Sequence, residues 1–343
     1  MDNLSHHTIF TLSGLNVSRT HKYIYFALTL MGYFSIIFFN LTLIVTILLE
    51  KSLHQPLYIF VCNLCVNGLY GTAGFYPKLL ADFLSDSHVI SYSGCLIQVF
   101  VIYSSRLCEI ANLTVMAYDR YVAICRPLQY NSVMTPLLIG KLIPFAWICP
   151  SCSLILALLL TIRLPLCGYH IEKLYCENWS IVKLSCIPTT YDHIYGYINI
   201  AVLSIPVFYV FYSYVQIIAA CRRSQNNQIK FMNTCLPHLL TFTNFMIALF
   251  FDGMYTRYGT SDMPQSLRNI MSLEFLIIPP LFNPIIYGLK LHQIRRRVYS
   301  IFSCHNITQN ECTVNCCQKK LQESTVFHHK TLNKIYPDMI LSG

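Results

Sequence analysis

Charged residues are scarce in this chain. Asp, Glu, Lys and Arg make up 11% of its 343 residues, whereas about a quarter of the residues in an ordinary soluble domain are charged. This scarcity excludes a soluble enzyme of usual composition. Hydrophobic residues make up 55%, so the formal net charge of +9 is better explained by helices oriented in a bilayer than by nucleic-acid binding. We predict a membrane protein that has membrane lipid as a partner and binds no nucleic acid.

Several short motifs are also missing. The chain contains no His-Glu-x-x-His, Gly-x-Ser-x-Gly or Gly-x-Gly-Asp, so we predict no enzyme, no metal and no cofactor. It has no internal repeat or inverted duplication, which argues against a transporter. Residues 1–22 lack a basic start, an apolar central run and a small-residue cleavage site, so the first apolar segment is expected to act as a signal anchor.

Long apolar segments dominate what is present. Residues 23–49 contain no charged side chain and rise about 40 Å as a helix, enough to cross a hydrocarbon core of about 30 Å with tilt. We predict an all-α membrane protein with a seven-transmembrane helix bundle over 23–290. The predicted spans are 23–49, 57–84, 95–118, 142–162, 194–220, 231–256 and 270–289.

The distribution of basic residues predicts the orientation. Four connecting segments hold 11 basic residues in 48 positions, and the four on the opposite side hold 7 in 75. The richer set is cytoplasmic by the positive-inside rule, which leaves the N-terminus extracellular and the C-terminus cytoplasmic. The richer segments are 50–56, 119–141, 221–230 and 290–297; the poorer ones are 1–22, 85–94, 163–193 and 257–268.

Glycosylation sequons give an independent indication of the membrane orientation, since they are used only on the lumenal side. The predicted sites are Asn3, Asn16 and Asn178. Three further sequons fall in predicted helices or in the tail and are taken as chance matches: Asn40, Asn112 and Asn306.

The C-terminal region divides into two parts. Residues 291–303 place three consecutive arginines beside apolar side chains, as in an amphipathic helix on an anionic membrane face, so we predict a short eighth helix. Cys304 is then a candidate for palmitoylation. Residues 304–343 are polar and are predicted to be a disordered cytoplasmic tail, and a metal site from Cys312, Cys316 and Cys317 is only weakly indicated.

One long motif, MAYDRYVAICRPLQY at 116–130, resembles the rhodopsin-like G-protein-coupled receptors and, more narrowly, the olfactory receptors. The stretch NLCVNGLYGTAGFYPK at 63–78 resembles the fish-type branch of that family. Further olfactory hallmarks follow in order: LHQPLYIFVCNL at 53–64, SY at 213–214, FMNTCLPHL at 231–239 and PPLFNPIIYGLK at 279–290.

The chain departs from the family pattern at two places. Gly68 stands where most rhodopsin-like receptors carry an aspartate in helix two, with Asn67 beside it, so a sodium site of the usual composition is in doubt. Glu109, at a helix-three position where olfactory receptors carry an acid, can still form part of one. In helix six the chain has Phe245-Met246 where olfactory receptors usually have Phe-Tyr, so the activation switch is expected to differ there.

The resemblance assigns coupling and activation roles at the cytoplasmic side. It implies that Arg120 is held at rest by Asp119 and on activation meets the G-protein tail and Tyr214; the alternative is a solvated ion pair. Pro284 is expected to kink helix seven, with Asn283 available to satisfy the freed backbone groups. The full predicted set is Asp119, Arg120, Tyr121, Tyr214, Asn283, Pro284 and Tyr287.

Ionisable groups inside the predicted spans are functional candidates because they are costly in a membrane. Arg106 and Glu109 lie three residues apart and can form a structural ion pair. Alternatively, the resemblance puts Ile102, Tyr103 and Arg106 on the ligand-facing side of helix three, where an arginine offers a planar fork to a carboxylate, phosphate or sulfate. The sequence leaves both alternatives open.

A second group of candidates lies at the outer end of helix six. Arg257, near Tyr255, can supply another anionic anchor or be a solvated loop arginine. Asp252, one turn deeper, can pair with either arginine or receive an ammonium group. Together with Asn199 in helix five, this set suits an anionic or amino-acid-like, water-soluble odorant.

The resemblance also excludes two receptor classes. Ile102 occupies the position of the amine-binding aspartate of aminergic receptors, and Ile277 that of the lysine that forms a Schiff base with retinal. Neither class is therefore predicted.

Four of the 16 cysteines lie in extracellular segments, an oxidising compartment. Olfactory receptors share this arrangement, and the resemblance implies one bond between Cys95 and Cys176 and another between Cys167 and Cys186. The rival pairing joins Cys95 to Cys186, and sequence alone cannot decide between them.

The sequence thus predicts an olfactory receptor in the plasma membrane of sensory neurons that binds a small odorant and activates a stimulatory olfactory G protein to raise cyclic AMP. One alternative is a related receptor for a metabolite outside the nose. A seven-span transporter or channel is a second alternative, against which the motifs around Arg120 and Pro284 argue.

Overall fold

The computed structural model describes residues 9–13, 19–222, 231–258, 265–291 and 293–298, with side chains except at 19–20, 232–233, 251–258, 265–273 and 275. The chain forms two compact units, Met1–Ile294 and Arg295–Gly343. In the second unit only 295–298 is described, and it is helical.

Helices make up most of the first unit. Short 3₁₀ turns at Lys51–Leu53 and Pro127–Gln129 join some of them. In chain order the other elements are β1 (Ile9–Leu12), α1 (Arg19–Leu49), α2 (Pro56–Ala73), α3 (Tyr76–Leu84), β2 (Val89–Ser91), α4 (Tyr92–Cys125), α5 (Tyr130–Val133), α6 (Pro136–Ile162), β3 (His170–Ile171), α7 (Asn178–Val182), α8 (Thr190–Cys221), a π-helical turn (Phe231–Cys235), α9 (Leu236–Tyr258) and α10 (Gln265–Lys290).

Five helical segments within the described part of the chain are long and apolar enough to cross a membrane: His21–Leu49, Pro56–Leu84, Tyr92–Cys125, Pro136–Ile162 and Thr190–Cys221. Shorter apolar helices at Leu236–Phe250 and Leu276–Lys290 overlap the last two predicted spans. Large apolar side chains such as Phe145, Phe208 and Phe211 are 63–70% exposed, as expected of surfaces that face lipid. A mostly helical membrane architecture is confirmed, and the count of seven spans stays a prediction.

The helices extend beyond the apolar segments because their polar ends are capped. Ser91 accepts a hydrogen bond from the Gly94 amide at 3.1 Å, so α4 begins three residues before the predicted span. Thr135 accepts one from the Leu138 amide at 3.3 Å, with Pro136 at the first helical position of α6. Hydropathy marks the part of a helix inside the bilayer, whereas caps mark where the helix begins.

The predicted second span, 57–84, is broken between α2 and α3. Pro77 has no amide hydrogen and is favoured only in the first turn of a helix, which is where it lies in α3. Gly71 and Gly74 let this segment approach α4 closely: a Cβ atom at Gly71 would lie 2.3 Å from Ser105 Oγ, and one at Gly74 would lie 2.6 Å from Val101 Cγ1.

Side-chain hydrogen bonds also connect three helices. Trp147 Nε1 in α6 donates to Asn63 Oδ1 in α2 at 2.9 Å, and Asn63 Nδ2 donates to Asn112 Oδ1 in α4. Asn112 is 3% exposed. Its side chain thus holds helices together, in keeping with its sequon being a chance match.

A three-stranded sheet, in the order β2-β1-β3, departs from the all-α prediction. β1 pairs antiparallel with β2 and parallel with β3. Phe10 and Leu12 of β1 are 0% and 4% exposed and pack with Cys95 and Cys176. These short strands pair with one another although they lie far apart in sequence. A search for helical periodicity in the sequence therefore does not detect them.

The close approach at Gly71 predicts that Gly71→Ala destabilises the protein. The added methyl group overlaps Ser105 Oγ, and overpacking of this kind costs about 1–3 kcal/mol. The thermal unfolding temperature of purified protein should therefore fall. Gly140→Ala in α6 is the matched control, because no described atom lies within 4 Å of a Cβ atom there. Equal unfolding temperatures for the two variants would contradict the packing argument.

Candidate functional site

An ion pair between neighbouring residues lies near the end of α4. Arg120 Nε donates to Asp119 Oδ2 at 2.9 Å, and Arg120 Nη2 donates to the same oxygen. Tyr130 of α5 donates its hydroxyl to Asp119 Oδ1 at 2.8 Å. Burial, followed by the negative charge of Asp119, raises the pKa of Tyr130, so the phenol keeps its proton. Both oxygens of a carboxylate that is 0% exposed are therefore bonded.

Tyr214 takes part in a second buried network. Its hydroxyl lies 2.6 Å from His238 Nδ1 and 3.2 Å from the Cys235 carbonyl oxygen. His238 Nε2 lies 2.9 Å from the carbonyl oxygen of Leu113. Since a carbonyl only accepts, Nε2 carries the ring hydrogen and Nδ1 accepts from Tyr214. His238 thus connects α4, α8 and α9.

Sequence reasoning assigned no role to His238, although this residue belongs to the quoted motif at 231–239. Its 0% exposure and its contacts with two other helices become visible only in three dimensions. A histidine within a predicted membrane span was the available signal.

The kink residue Pro284 behaves differently from the prediction. Pro284 has no amide hydrogen, so the group left without its helical partner is the Pro280 carbonyl. Asn40 Nδ2 in α1 donates to that carbonyl oxygen at 2.8 Å. The predicted partner, Asn283, instead donates its Nδ2 to Glu109 Oε1 in α4 at 2.8 Å. Asn283 is not the partner because its side chain faces α4, whereas the side chain of Asn40 faces the freed carbonyl. Nearby in α10, Tyr287 is 0% exposed.

Arg106 lies buried in the middle of α4, with 3% exposure. Its Nη2 donates to the Tyr175 hydroxyl at 3.1 Å, and its guanidinium carbon lies 5.0 Å from the centre of the Tyr103 ring. Tyr175 belongs to the loop between α6 and α8 and was not among the predicted residues. Its contact with Arg106 ties this loop to the interior of the helix bundle.

Two disulfide bonds hold the same loop. They join Cys95 to Cys176 and Cys167 to Cys186, which is the pairing that the resemblance implies. Gln98 adds two hydrogen bonds: its Oε1 accepts from the Cys176 amide at 2.9 Å, and its Nε2 donates to the Gly74 carbonyl oxygen at 3.1 Å.

A cavity of about 510 Å³ opens between α4, α6, α7 and α8. We call it the lateral cavity. Tyr103 and Asn199, both predicted to bind ligand, line it, whereas Arg106 and Ile102 are not among the described residues that do so. Its walls are Tyr103, Leu107, Ser153, Leu154, Ala157, Leu160, Glu177, Asn178, Trp179, Val182, Lys183, Asp192, His193, Tyr195, Gly196, Tyr197, Asn199 and Leu203.

For several predicted residues the side chain lies outside the described part of the chain. Asp252, Tyr255 and Arg257 are in α9, but their side chains are not described. Asn3, Asn16, Asn306, Cys304, Cys312, Cys316 and Cys317, together with the predicted tail, also lie outside the described residues.

Asn178 is described and begins α7. Its Oδ1 accepts a hydrogen bond from Thr161 Oγ1 at 2.9 Å, and the residue is half-buried in the wall of the lateral cavity. A glycosylation acceptor needs access to the surface. This placement favours Asn3 and Asn16 over Asn178 as acceptors.

The class of protein is defined by three features: membrane-length helices, a disulfide-linked loop folded onto them, and the buried ion pair of Asp119 and Arg120 near the end of α4. Together they are typical of a multi-pass helical receptor. A family model described as "Olfactory receptor" matches residues 28–305. Olfactory receptor 1 of Rattus norvegicus is 32% identical over 308 residues, which cover 88% of this chain and 96% of the relative. Olfactory receptor 4E1 of Homo sapiens is 34% identical over 291 residues, which cover 84% of this chain and 91% of the relative.

The chain belongs to the olfactory receptor family. Members of this family are odorant-sensing G-protein-coupled receptors of the plasma membrane, and they are receptors rather than enzymes. The family assignment made from the sequence motifs is confirmed.

Proposed function

We propose that the chain is an odorant receptor that binds a small molecule between its helices and activates a stimulatory olfactory G protein, raising cyclic AMP. The observation that carries the proposal is the arrangement of Asp119, Arg120 and Tyr130. The guanidinium of Arg120 is engaged by an adjacent carboxylate, and that carboxylate is held in turn by a phenol from a separate helix.

This arrangement is suited to a resting state. Arg120 is directed to Asp119, and Tyr214 is directed to His238 rather than to Arg120. For Arg120 to meet a G protein and Tyr214, both sets of bonds must change partners. In this exchange each hydrogen bond that breaks is replaced by a new one. The net free-energy cost is therefore small compared with that of leaving a buried charge unpaired.

We further propose that the odorant carries an anionic or amino-acid-like group recognised near Arg106. The planar fork of a guanidinium suits a bidentate contact with a carboxylate, and Arg106 also contacts the Tyr175 hydroxyl and the Tyr103 ring. The proposal also includes Arg257 and Asp252, and for these two residues it rests on the sequence alone. A purely structural role for Arg106 is the alternative.

The proposal places the chain in the membrane as seven spans with an extracellular N-terminus and a cytoplasmic C-terminus. The basic-residue distribution supports this orientation. Residues 291–303 are proposed to form an amphipathic eighth helix before a disordered tail, and helical backbone at 293–298 is consistent with it. Membership of the fish-type branch rests on the motif at 63–78 and is likewise part of the proposal.

A metabolite receptor outside the nose would share every feature of this site, and the tissue of expression separates it from an odorant receptor. A transporter or channel would instead give flux without a G protein.

Basal coupling tests the role of Arg120 without a known odorant. Tyr130→Phe removes one hydrogen bond to Asp119, worth about 1 kcal/mol, so basal nucleotide exchange on the G protein should rise about fivefold. Arg120→Ala should abolish exchange, alone and in the Tyr130→Phe background, at equal surface expression. If exchange persists in the double variant, Arg120 does not couple the receptor.

Ligand charge tests the role of Arg106. A matched series of carboxylic acids, methyl esters and amides is applied to the parent, to Arg106→Gln and to Arg257→Gln in a cyclic-AMP reporter assay. The half-maximal concentration of an active acid should rise about tenfold or more in Arg106→Gln, since a charge-assisted hydrogen bond is lost. Equal responses of the parent to acids and esters would refute the anionic anchor.

Glycan removal tests the orientation. Glycosidase treatment should increase the electrophoretic mobility of the parent, and replacing Asn3 and Asn16 with Gln should abolish most of this change, since the Asn178 side chain is engaged. A glycan on Asn306 would instead reverse the proposed orientation.

A further inference from the structure

The lateral cavity is lined by charged, polar and aromatic side chains that the odorant proposal does not use. Its volume of about 510 Å³ lies within the usual range for small-molecule sites. Asp192 and Asn199, seven residues apart on α8, both line it, and two helical turns separate them by about 10 Å along the helix axis. The cavity therefore has two polar positions at a fixed spacing.

The position around Asn199 is rich in hydrogen bonds. Ser153 Oγ in α6 donates to Asn199 Oδ1 at 2.6 Å, and the Tyr195 hydroxyl donates to the Ser153 carbonyl oxygen at 2.7 Å. These neutral groups both donate and accept. They suit a hydroxyl or carbonyl group of a ligand.

The position around Asp192 carries a charge. The side chain of Asp192 is only 5% exposed, and its Oδ2 has no hydrogen-bond partner among the described residues. Asp192 lies in the first turn of α8, where the helix dipole favours a negative charge. The dipole supplies no donor to Oδ2, however, and a buried oxygen without a donor is costly.

The nearest cation satisfies this carboxylate only in part. Arg163 Nη2 lies 3.5 Å from Asp192 Oδ2, and the Arg163 side chain is 45% exposed. The guanidinium also donates from Nε to the Leu160 carbonyl oxygen at 3.1 Å and stacks over Tyr191 at 5.1 Å. Solvent screening weakens an ion pair of this kind.

The other charged groups of the cavity are engaged or lie at its rim. Glu177 pairs with Lys173, and Lys183 and His193 are exposed. The rings of Trp179 and His193 meet edge to face with centroids 4.7 Å apart. Aromatic faces next to a carboxylate form an environment that attracts cations.

We propose that the lateral cavity binds a small molecule with a positively charged nitrogen, held by Asp192 and the aromatic wall, and a hydroxyl or carbonyl group that reaches Ser153 and Asn199. Arg106 is not among the described residues that line this cavity, and binding there does not depend on coupling to a G protein. The nitrogen can belong to a free amine or to the choline headgroup of a membrane lipid.

Charge-selective labelling tests the site on purified receptor. Ala157→Cys places a thiol in the cavity wall, where a cationic ethylammonium and an anionic ethylsulfonate methanethiosulfonate are compared after subtracting the labelling of native thiols. If the buried carboxylate of Asp192 attracts cations into the cavity, the cationic reagent should react about tenfold faster. Adding Asp192→Asn should bring the two rates close together, whereas Asp192→Glu should keep the preference and show that the fold is intact.

Asp86→Asn is the matched control, because Asp86 is 88% exposed and pairs with Lys22 at the surface. It should leave the ratio of labelling rates unchanged. A ratio near one in the parent, or one that Asp192→Asn does not alter, would overturn the proposal.

Protection from labelling tests the ligand class. Tyramine has an ammonium group and a phenol at opposite ends, and tyrosol replaces the ammonium with a hydroxyl. Tyramine should slow labelling at Ala157→Cys at least fivefold, about 1 kcal/mol by the ordinary conversion, and tyrosol should not. Equal protection by both compounds would overturn the proposal.

Lipid nanodiscs distinguish the two sources of the nitrogen. If a choline headgroup occupies the cavity, labelling should be slower in phosphatidylcholine than in phosphatidylglycerol discs, and tyramine should protect less in phosphatidylcholine. Equal labelling in both lipids, with protection by tyramine, identifies a free amine as the ligand.

Discussion

The requirement that polar groups inside a membrane be satisfied by the protein itself explains much of this structure. Where Pro284 frees the Pro280 carbonyl, Asn40 from another helix donates to it. Trp147 Nε1 in α6 donates to Asn63 Oδ1 in α2, and Asn63 Nδ2 donates to Asn112 Oδ1 in α4. Each case joins separate helices or segments, so the same bonds that avoid a desolvation cost also fix how the bundle packs. In this way polar residues specify an arrangement that apolar contacts alone leave open.

The sequence predicted features that depend on local composition or on long motifs. Apolar length located the membrane helices, and the motif at 116–130 identified the family and the pair at Asp119. It did not predict Tyr130 or His238 as partners, because each bonds to a residue brought near by folding. It also missed the sheet, since strands of two to four residues carry no periodic signal.

The placement of ligand residues shows the same limit. The predicted stripe joins Ile102, Tyr103 and Arg106 on one helix, yet of these three only Tyr103 is among the described residues that line the lateral cavity. The stripe cannot fix what lies opposite, and here Arg106 faces Tyr175 from a loop that two disulfides hold in place. Loop conformation depends on bonds between distant residues, so the partner of a buried charge was the least predictable part of the site.

Two helices extend from the lateral cavity to the buried networks around Arg120 and Tyr214. α4 carries Tyr103 and Arg120, 17 residues and about 25 Å apart, and α8 carries Asn199 and Tyr214, 15 residues and about 22 Å apart. A regular helix transmits an axial shift or rotation because its internal hydrogen bonds resist bending, although Pro206 removes one such bond from α8. His238 links α4 to α8 near Tyr214. A displacement of either helix relative to the other therefore strains the bonds of His238, so this histidine is one of the points at which motions of the two helices are coupled.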